Sequence, residues 1–504
     1  MKENNKSFTF QSLISDYLLI LFFIIFSVSI FLKSYYNPDG YLSPDSTNYL
    51  RLAQNLLEGK GFEVGAYYHI NNSREYFAIW PVGYPFFIFI VAKITGLSVF
   101  WASKLLNILN IGLLLIGFRL LFKNKAWIYA LILFMAGFQH IYTFTWSESP
   151  FILVLFWFTI ILYRFIKNKD IKFGLSFSLM FLSLLLFLLR YIGFFSFIVL
   201  GFIGLLFLFK DKRKFFILSG ISLINIVLSE LYLYNNYLKT NFLTGAEKTL
   251  DTSTAYDKIL MIAKGIIQEF LLPVTHLTPK TAIILLLEIL SLLYIFFISN
   301  KKKIFTKFKT DYDKSIFVYT FLFVGISYEL ALIFLRWIFY FDDLDYRLLG
   351  PGTFLIWIAI IFMITNYFSN KTQKTFIGLF VFFILISFSY NTLYFLYLDI
   401  SKNKPYNKNI VKLKQKYDSL PHGAALIFGS KHMIYLRTDI IDIQLYHFKK
   451  NENWTDFINR LSKFKNIYLE IPEDKKTIDE IKQLKPDVFS FINKNKKGEI
   501  IKLK

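Results

Sequence analysis

Long apolar runs separated by short polar breaks fill the chain from about residue 17 to about residue 396. A helix rises 1.5 Å per residue, so about 20 apolar residues cross a hydrocarbon core of about 30 Å. Runs near Tyr17–Phe31, Trp101–Phe122, Ala126–Tyr142, Pro150–Ile166, Phe173–Leu189, Ile192–Phe209, Phe215–Tyr234, Thr281–Ile298, Ser315–Trp337, Gly350–Tyr367 and Phe376–Leu396 predict an α-helical polytopic membrane protein with about 11–13 spans. Tyr84–Ala92 is apolar but short and ends at Lys93, which suits an interfacial or re-entrant segment. Ile259–Leu272 is interrupted by Lys264 and Glu269 and predicts an amphipathic surface helix. The first run is followed by Lys33 and Pro38 with no small-residue cleavage pattern, so it predicts an uncleaved anchor.

The pattern changes near Ser401. Strands are predicted at Ala424–Phe428, Ile467–Ile471 and Val488–Ile492, with helices at Thr455–Lys463 and Thr477–Leu484. The predicted organisation is a transmembrane module over residues 1–400, with a large first outer loop at 34–100, followed by a small α/β domain over 401–504.

Composition supports the membrane reading. Of 504 residues, 55% are hydrophobic and only 18% charged, with a mean hydropathy of +0.46. Soluble chains carry about 25% charged residues, so a soluble multidomain enzyme is excluded. The absence of cysteine excludes disulfides and thiolate metal sites.

The net charge of +22 is a topology signal rather than a nucleic-acid signal. Lysines crowd alternate loops at Lys123–Lys125, Lys167–Lys172, Lys210–Lys214, Lys301–Lys309 and Lys371–Lys374. The positive-inside rule places those loops and the N-terminus in the cytoplasm. The first loop, the 401–504 tail and the segments around Glu148, Arg190, 235–280 and 342–347 then lie outside the cytoplasmic (inner) membrane. The tail holds 22 basic and 12 acidic residues, a lysine-rich surface with no phosphate-binding loop. The triplets Asn71–Ser73 and Asn453–Thr455 fit the glycosylation sequon.

The unusual polar residues gather on that outer side. Ser46–Glu58 reads as a helix with an apolar stripe at Leu52, Leu56 and Leu57, stopped by Gly59. Asp45 at its start fits an N-cap, a general base, or both. Trp80 and Tyr84 sit among Pro81 and Pro85, consistent with a turn at the interface. Glu148 opens a span, where a helix N-terminus favours an anion. Arg190 and Arg347 stand at span ends in lysine-poor loops, as snorkelling anchors or as anion ligands. Asp342, Asp343 and Asp345 crowd beside Arg347. Three acids leave a divalent cation open, but EF-hand spacing is absent and no cofactor is indicated. Glu230, Glu288, Glu329 and Arg336 lie in or near spans without an internal repeat.

Ordered motifs resemble the polytopic GT-C glycosyltransferases, in particular the family of bacterial lipid A aminoarabinose transferase and the protein O-mannosyltransferases. They are Asp45-Ser-Thr-Asn-Tyr49 with Gly61-Phe62, Pro81-Val-Gly-Tyr-Pro85, Ser147-Glu-Ser-Pro150 and Leu189-Arg-Tyr-Ile-Gly193. Asn236-Tyr-Leu with Leu243-Thr-Gly245, Arg347-Leu-Leu-Gly-Pro351 and Leu420-Pro-His-Gly-Ala424 complete the set. The resemblance implies transfer of a sugar from a polyprenyl-phosphate donor to a glycan, lipid or protein acceptor at the outer face, usually with inversion. It implies Asp45 and Glu148 as catalytic carboxylates and Arg190 and Arg347 as ligands of the donor phosphate. Tyr49, Tyr84, Asp345 and Tyr346 are expected as further substrate contacts. His69, Arg74 and Glu75 match no motif.

Residue chemistry agrees with the implied reaction. Arginine forks clamp a leaving phosphate without a metal, and a carboxylate accepts the proton of an attacking hydroxyl. A transporter or flippase of lipid-linked glycans is the alternative class; it predicts inverted repeats and midplane charges. An O-antigen polymerase or ligase is a second alternative, and those usually lack the early aspartate loop and the α/β tail.

The topology has a direct test. An alkaline-phosphatase reporter fused after Lys450 is expected to be active, and one placed at Lys167–Lys172 inactive. An inactive reporter after Lys450 overturns the odd number of spans.

Overall fold

The computed structural model describes residues 2–64, 75–275, 279–299, 306, 308, 310–401, 405–445, 448, 452–473 and 475–504. His69, Arg74, the triplet at 71–73 and the lysines at 301–303, 307 and 309 lie outside the described residues. Contacts divide the chain into two compact units. One comprises Met1–Tyr41, Lys104–Leu233 and Glu247–Asn403; the other comprises Leu42–Ser103, Tyr234–Ala246 and Lys404–Lys504. Most of the first loop and the tail thus belong to one unit.

Among the described residues, seven helices are long and apolar enough to cross a membrane: Ser12–Tyr36, Val99–Phe134, Glu148–Lys167, Lys212–Thr240, Tyr312–Ile338, Tyr346–Tyr367 and Asn370–Ser401. Seven of the predicted runs fall within them. Three more, Phe173–Leu189, Tyr191–Leu206 and Ala282–Ile295, are shorter apolar helices. The run predicted at Ala126–Tyr142 is broken. A helix at Ala126–Ala130 tightens into a 3-10 turn at Leu131–Phe134, Met135 is extended, and a new helix runs Ala136–Thr143. The break is satisfied locally. The Ala136 amide donates to the Leu272 carbonyl at 2.9 Å, and Gln139 and Ser387 side chains donate to the Phe134 carbonyl at 2.6 and 2.8 Å. Backbone groups freed in an apolar surrounding need such partners.

The helices Tyr312–Ile338 and Tyr346–Tyr367 pack closely because glycines face each other. A Cβ on Gly325 would lie 2.8 Å from the Gly352 carbonyl oxygen, and one on Gly352 would lie 2.7 Å from Glu329 Cγ. Small residues let helix backbones approach in this way. Tyr328 ties the pair by donating to the Leu348 carbonyl at 2.8 Å.

In the other unit, the helix predicted at Ser46–Glu58 runs Pro44–Leu57. Its N-cap is Ser43 rather than Asp45. Ser43 Oγ accepts from the Ser46 amide, Ser46 Oγ accepts from the Ser43 amide, and Pro44 occupies the first turn. The proline's fixed φ and missing N–H suit that position, which moves the cap forward and leaves Asp45 in the first turn. Tyr84–Ala92 lies in a 13-residue helix, Gly83–Thr95, closed by Gly96 at φ +71°.

The tail forms a four-stranded sheet, ordered β4-β3-β5-β6. The strands are β3 Ala425–Ile427, β4 Ile441–Ile443, β5 Ile467–Glu470 and β6 Ile500–Lys502; a short hairpin, β1 Glu63–Val64 with β2 Glu75–Tyr76, lies in the first loop. β3 pairs in parallel with β4 and β5, and β6 is antiparallel to β5. Central parallel strands are covered on both faces and read as unbroken apolar runs. Ala425 and Ile427 accordingly face one core with Phe457, Leu461, Ile481 and Val488, while Leu426 faces a second with Tyr417, Leu420 and Met433. The strand predicted at Val488–Ile492 is instead a helix, Pro486–Ile492, started by proline at its first turn. Its residues Val488 and Ile492, four apart, face the core together, a spacing that suits a helix.

The first loop packs on this sheet domain. Arg51, 2% exposed, donates to the Thr438 and Ile440 carbonyls at 3.3 and 3.2 Å. Phe100 stacks on Tyr406 with centroids 3.8 Å apart.

Asp442 on β4 is buried beside Gln444, which donates to it at 2.8 Å. Burial pushes its carboxyl up to about 7. The folded state therefore holds a proton that the unfolded state releases near pH 4, at the ordinary value of about 3.9. This stabilisation is present below about pH 4 and is lost as pH rises through about 7. Asp442→Asn, which cannot ionise, is expected to match the parent at pH 4 and to unfold at higher temperature than the parent at pH 8. Parallel thermal-unfolding curves at the two pH values would contradict the assignment.

Candidate active site

Three helix ends meet in the helical unit. Glu148 lies in the first turn of Glu148–Lys167, with Ser147 at the N-cap position. Arg190 ends Phe173–Leu189 with an extended backbone, and the chain folds back in the tight turn Tyr191–Phe194. That reversal needs Gly193, since a Cβ there would fall 2.2 Å from the Leu186 carbonyl carbon. Arg347 is the second residue of Tyr346–Tyr367. The carboxylate of Asp345 caps this helix, accepting from the Arg347 and Leu348 amides at 2.9 and 3.2 Å.

These ends place both guanidinium groups on one carboxylate. Arg347 Nε donates to Glu148 Oε1 at 2.8 Å, and Arg190 Nη1 forms an ion pair with the same oxygen. The Glu148 side chain is wholly buried, whereas those of Arg190 and Arg347 keep 14% and 15% exposure. The Arg347 guanidinium also sits 4.7 Å from the centre of the Trp146 ring, a cation–π contact that fixes its plane. Asp342 stands 3.7 Å from Arg347 but is 75% exposed, so water screens it. Beside the two guanidiniums stand the Glu148 carboxylate and the half-buried Asp345 that caps the Arg347 helix. Two helix N-termini, at Glu148 and Tyr346, add positive potential. A partly open centre in which two guanidiniums converge suits a phosphate-like anion.

The structure thus brings together Glu148, Arg190 and Arg347, with Asp345 and Tyr346 beside them. Burial pushes the Asp345 carboxyl up, against the pull of the Leu348 and Arg347 amides that it caps. The three loop acids have separate tasks. Asp345 caps a helix, Asp342 faces Arg347, and Asp343 lies 3.5 Å from Arg336, itself paired with Asp251. No group of three or more histidine and acidic side chains that could hold a metal occurs among the described residues.

In the other unit, Asp45 is half-buried in the first turn of its helix. The Tyr49 ring meets Tyr84 edge-on at 5.1 Å and Trp80 at 5.6 Å. Tyr49 and Tyr84 are 2% and 0% exposed, so their rings join the Pro44 and Gly83 helices rather than present a surface.

Sequence reasoning assigned no role to Trp146, whose ring supports Arg347, or to Lys104, buried within its span. An ionisable residue in an apolar span is the signal that marks Lys104.

No protein-family model matches the chain, and no curated protein matches it. Solved structures are similar at low identity. ArnT from Cupriavidus metallidurans in the apo state covers 92% of this chain and 94% of its own, at 12% identity and a TM-score of 0.46. The same protein bound to undecaprenyl phosphate covers 92% and 94%, at 11% identity and 0.45. The archaeal oligosaccharyltransferase AglB from Archaeoglobus fulgidus, in complex with an inhibitory peptide and a dolichol-phosphate, covers 97% of this chain and 74% of its own, at 12% identity and 0.48.

Removing Glu148 leaves two guanidiniums without their shared partner. Glu148→Leu is expected to cost about 3–5 kcal/mol of stability, the usual penalty for breaking a buried pair from one side. Thermal unfolding of the detergent-solubilised protein checks this. An unchanged midpoint would mean that the arginines are held by other groups.

Proposed function

We propose that the chain is a membrane glycosyltransferase that moves a sugar from a polyprenyl-phosphate donor to an acceptor hydroxyl at the outer face of the cytoplasmic membrane, with inversion. The observation that carries this reading is the convergence of the Arg190 and Arg347 guanidiniums on Glu148. The guanidiniums keep a limited exposure within the helical unit. A donor with an apolar chain brings its phosphate to the edge of the bilayer, where such a centre receives it.

In the reaction, the bond between the anomeric carbon and the donor phosphate oxygen breaks, and its electron pair stays on the phosphate. Arg190 and Arg347 stabilise that growing charge through forked hydrogen bonds. The acceptor oxygen forms the new bond to the anomeric carbon from the opposite face. Its proton passes to the carboxylate of Asp45 as general base. Glu148, for which the resemblance implies a second catalytic carboxylate, is a positioning residue in this scheme, because both arginines engage its carboxylate. The N-terminus faces the cytoplasm and the α/β domain faces outside. The acceptor is a glycan, lipid or protein.

Transfer of radiolabelled sugar from polyprenyl phosphate by the purified protein tests the proposal. Asp45→Asn is expected to lower turnover by about 10²–10⁴-fold. Arg347→Lys keeps the charge but loses the fork, and a lost charge-assisted hydrogen bond of about 1.5–3 kcal/mol corresponds to roughly tenfold or more. Near-parent turnover by folded Asp45→Asn would remove Asp45 from the mechanism, and absence of any transfer by the parent would end the reading.

A further inference from the structure

The first outer loop has a clasp at its base that the scheme above does not use. The chain leaves the helical unit after Tyr41 and re-enters it at Lys104. Lys104 lies in the helix Val99–Phe122 and is 2% exposed. An ionisable side chain buried in a span is costly and marks a functional position. Its Nζ donates to the Tyr41 carbonyl at 3.3 Å and to the Thr143 carbonyl at 2.7 Å. One side chain thus holds two backbone segments that are far apart in sequence. Both lead to groups of the proposed reaction. Asp45 follows Tyr41 by four residues, and Trp146 and Glu148 follow Thr143.

Tyr41 is under strain. Its φ is +52°, directly after Gly40 at +62°. A non-glycine residue in the left-handed region persists only where its surroundings hold it. The holding groups come from several elements of the helical unit. Tyr41 Oη donates to Asp399 Oδ2 at 3.1 Å, and Asn37 Nδ2 donates to Asp399 Oδ1 at 3.1 Å. Lys33 Nζ sits 5.0 Å from the centre of the Tyr41 ring, and the ring meets Phe144 edge-on at 5.3 Å. Lys104 adds the contact to the Tyr41 backbone itself.

The other segment is held more than once from the Lys104 helix. Asn107 Nδ2 donates to the Tyr142 and Phe144 carbonyls at 2.9 and 2.8 Å, and Asn110 Nδ2 donates to Ser149 Oγ at 3.0 Å. Lys104, Asn107 and Asn110 are spaced by three residues and share one helix face. Phe144 then stacks on Trp146 with centroids 4.2 Å apart, and Trp146 carries Arg347. Without Lys104, the two asparagines still hold residues 142–149. Of the three side chains, Lys104 is the one that reaches across to Tyr41.

We propose that Lys104 is a positioning residue for sugar transfer. It fixes the point at which the chain leaves the helical unit toward Asp45, relative to the segment that carries Trp146 and Glu148. This role rests on the reading of Asp45 as general base. Alignment of a base with the acceptor hydroxyl is sensitive to small displacements, so a loosened exit at Tyr41 slows the chemical step. The arginines keep Glu148 and Trp146 as partners, so donor binding is spared.

The test uses the full-length purified protein in the radiolabelled transfer assay. Lys104→Met keeps much of the side-chain volume and removes the donors. It is expected to lower kcat and kcat/KM for the donor together by about tenfold to 10²-fold, with donor KM and unfolding temperature at parent values. Lys104→Arg can reach both carbonyls and is expected to restore most of the turnover. Lys104→Gln, a milder change with a shorter arm, is expected to follow Lys104→Met. Hydrogen exchange without substrate is expected to quicken over residues 37–45 in Lys104→Met and to stay at the parent rate over residues 142–149. Near-parent turnover by folded Lys104→Met and Lys104→Gln would overturn the proposal. So would unchanged exchange at residues 37–45, a rise in donor KM alone, or a loss that arginine does not restore. Absence of transfer by the parent would end the glycosyltransferase reading and this role together, whereas transfer by the parent with unaffected variants ends this role alone.

Discussion

In the helical unit, two guanidinium groups share one carboxylate away from bulk water. Charge in an apolar surrounding is costly unless it is paired, and the cost falls on whichever partner is left over. Glu148 therefore constrains more than its own helix. Its position in a first turn, the reversal at Gly193 that ends the Arg190 helix, and the Asp345 cap that starts the Arg347 helix must all hold for the three groups to meet. The ring of Trp146 then limits where the Arg347 guanidinium can lie. Because both guanidiniums keep some exposure, the same packing that holds the helices also makes a receptive place for an anion.

Backbone economy governs the rest of the unit. Apolar surroundings punish an unpaired carbonyl or amide, and two interruptions of the helices bring their own donors and acceptors. The break at Met135 is closed by Leu272, Gln139 and Ser387. The π-helical turn Ser389–Tyr394 in the last long helix is supported likewise. Its Asn391 donates to the Pro273 carbonyl at 2.7 Å and accepts from Lys33 Nζ at 3.0 Å, and Thr392 donates to Gln139 at 2.6 Å. Glycines are placed where two backbones approach, as at Gly325 and Gly352.

The unit that holds the first loop and the tail follows soluble-protein rules. Its sheet is sealed on both faces by short helices, and the Arg51 guanidinium donates to two backbone carbonyls. Tyr49 and Tyr84 show the same economy. The two rings, which stood out beside candidate motifs, pack edge-on against each other and brace the helix that carries Asp45.

The long spans were legible because apolar runs of membrane-crossing length have few other uses. The lysine pattern made Arg190 and Arg347 visible as exceptions, and the ordered motifs made Asp45 and Glu148 visible. The cap at Ser43 was misplaced from sequence because Pro44 shifts the helix start by a residue or two, a choice that local pattern does not resolve. The last predicted strand was misread because Val488 and Ile492 sit in a run too short for its period to separate strand from helix. What the sequence by itself determined was the presence of spans, their charged flanks and the residue types available for chemistry, since each depends on composition within a few turns. Which groups share a buried carboxylate, and that Lys104 bridges Tyr41 and Thr143, were decided only by tertiary structure. A contact between distant helix ends depends on helix lengths, turns and close approaches summed along the chain, and no local window contains that sum.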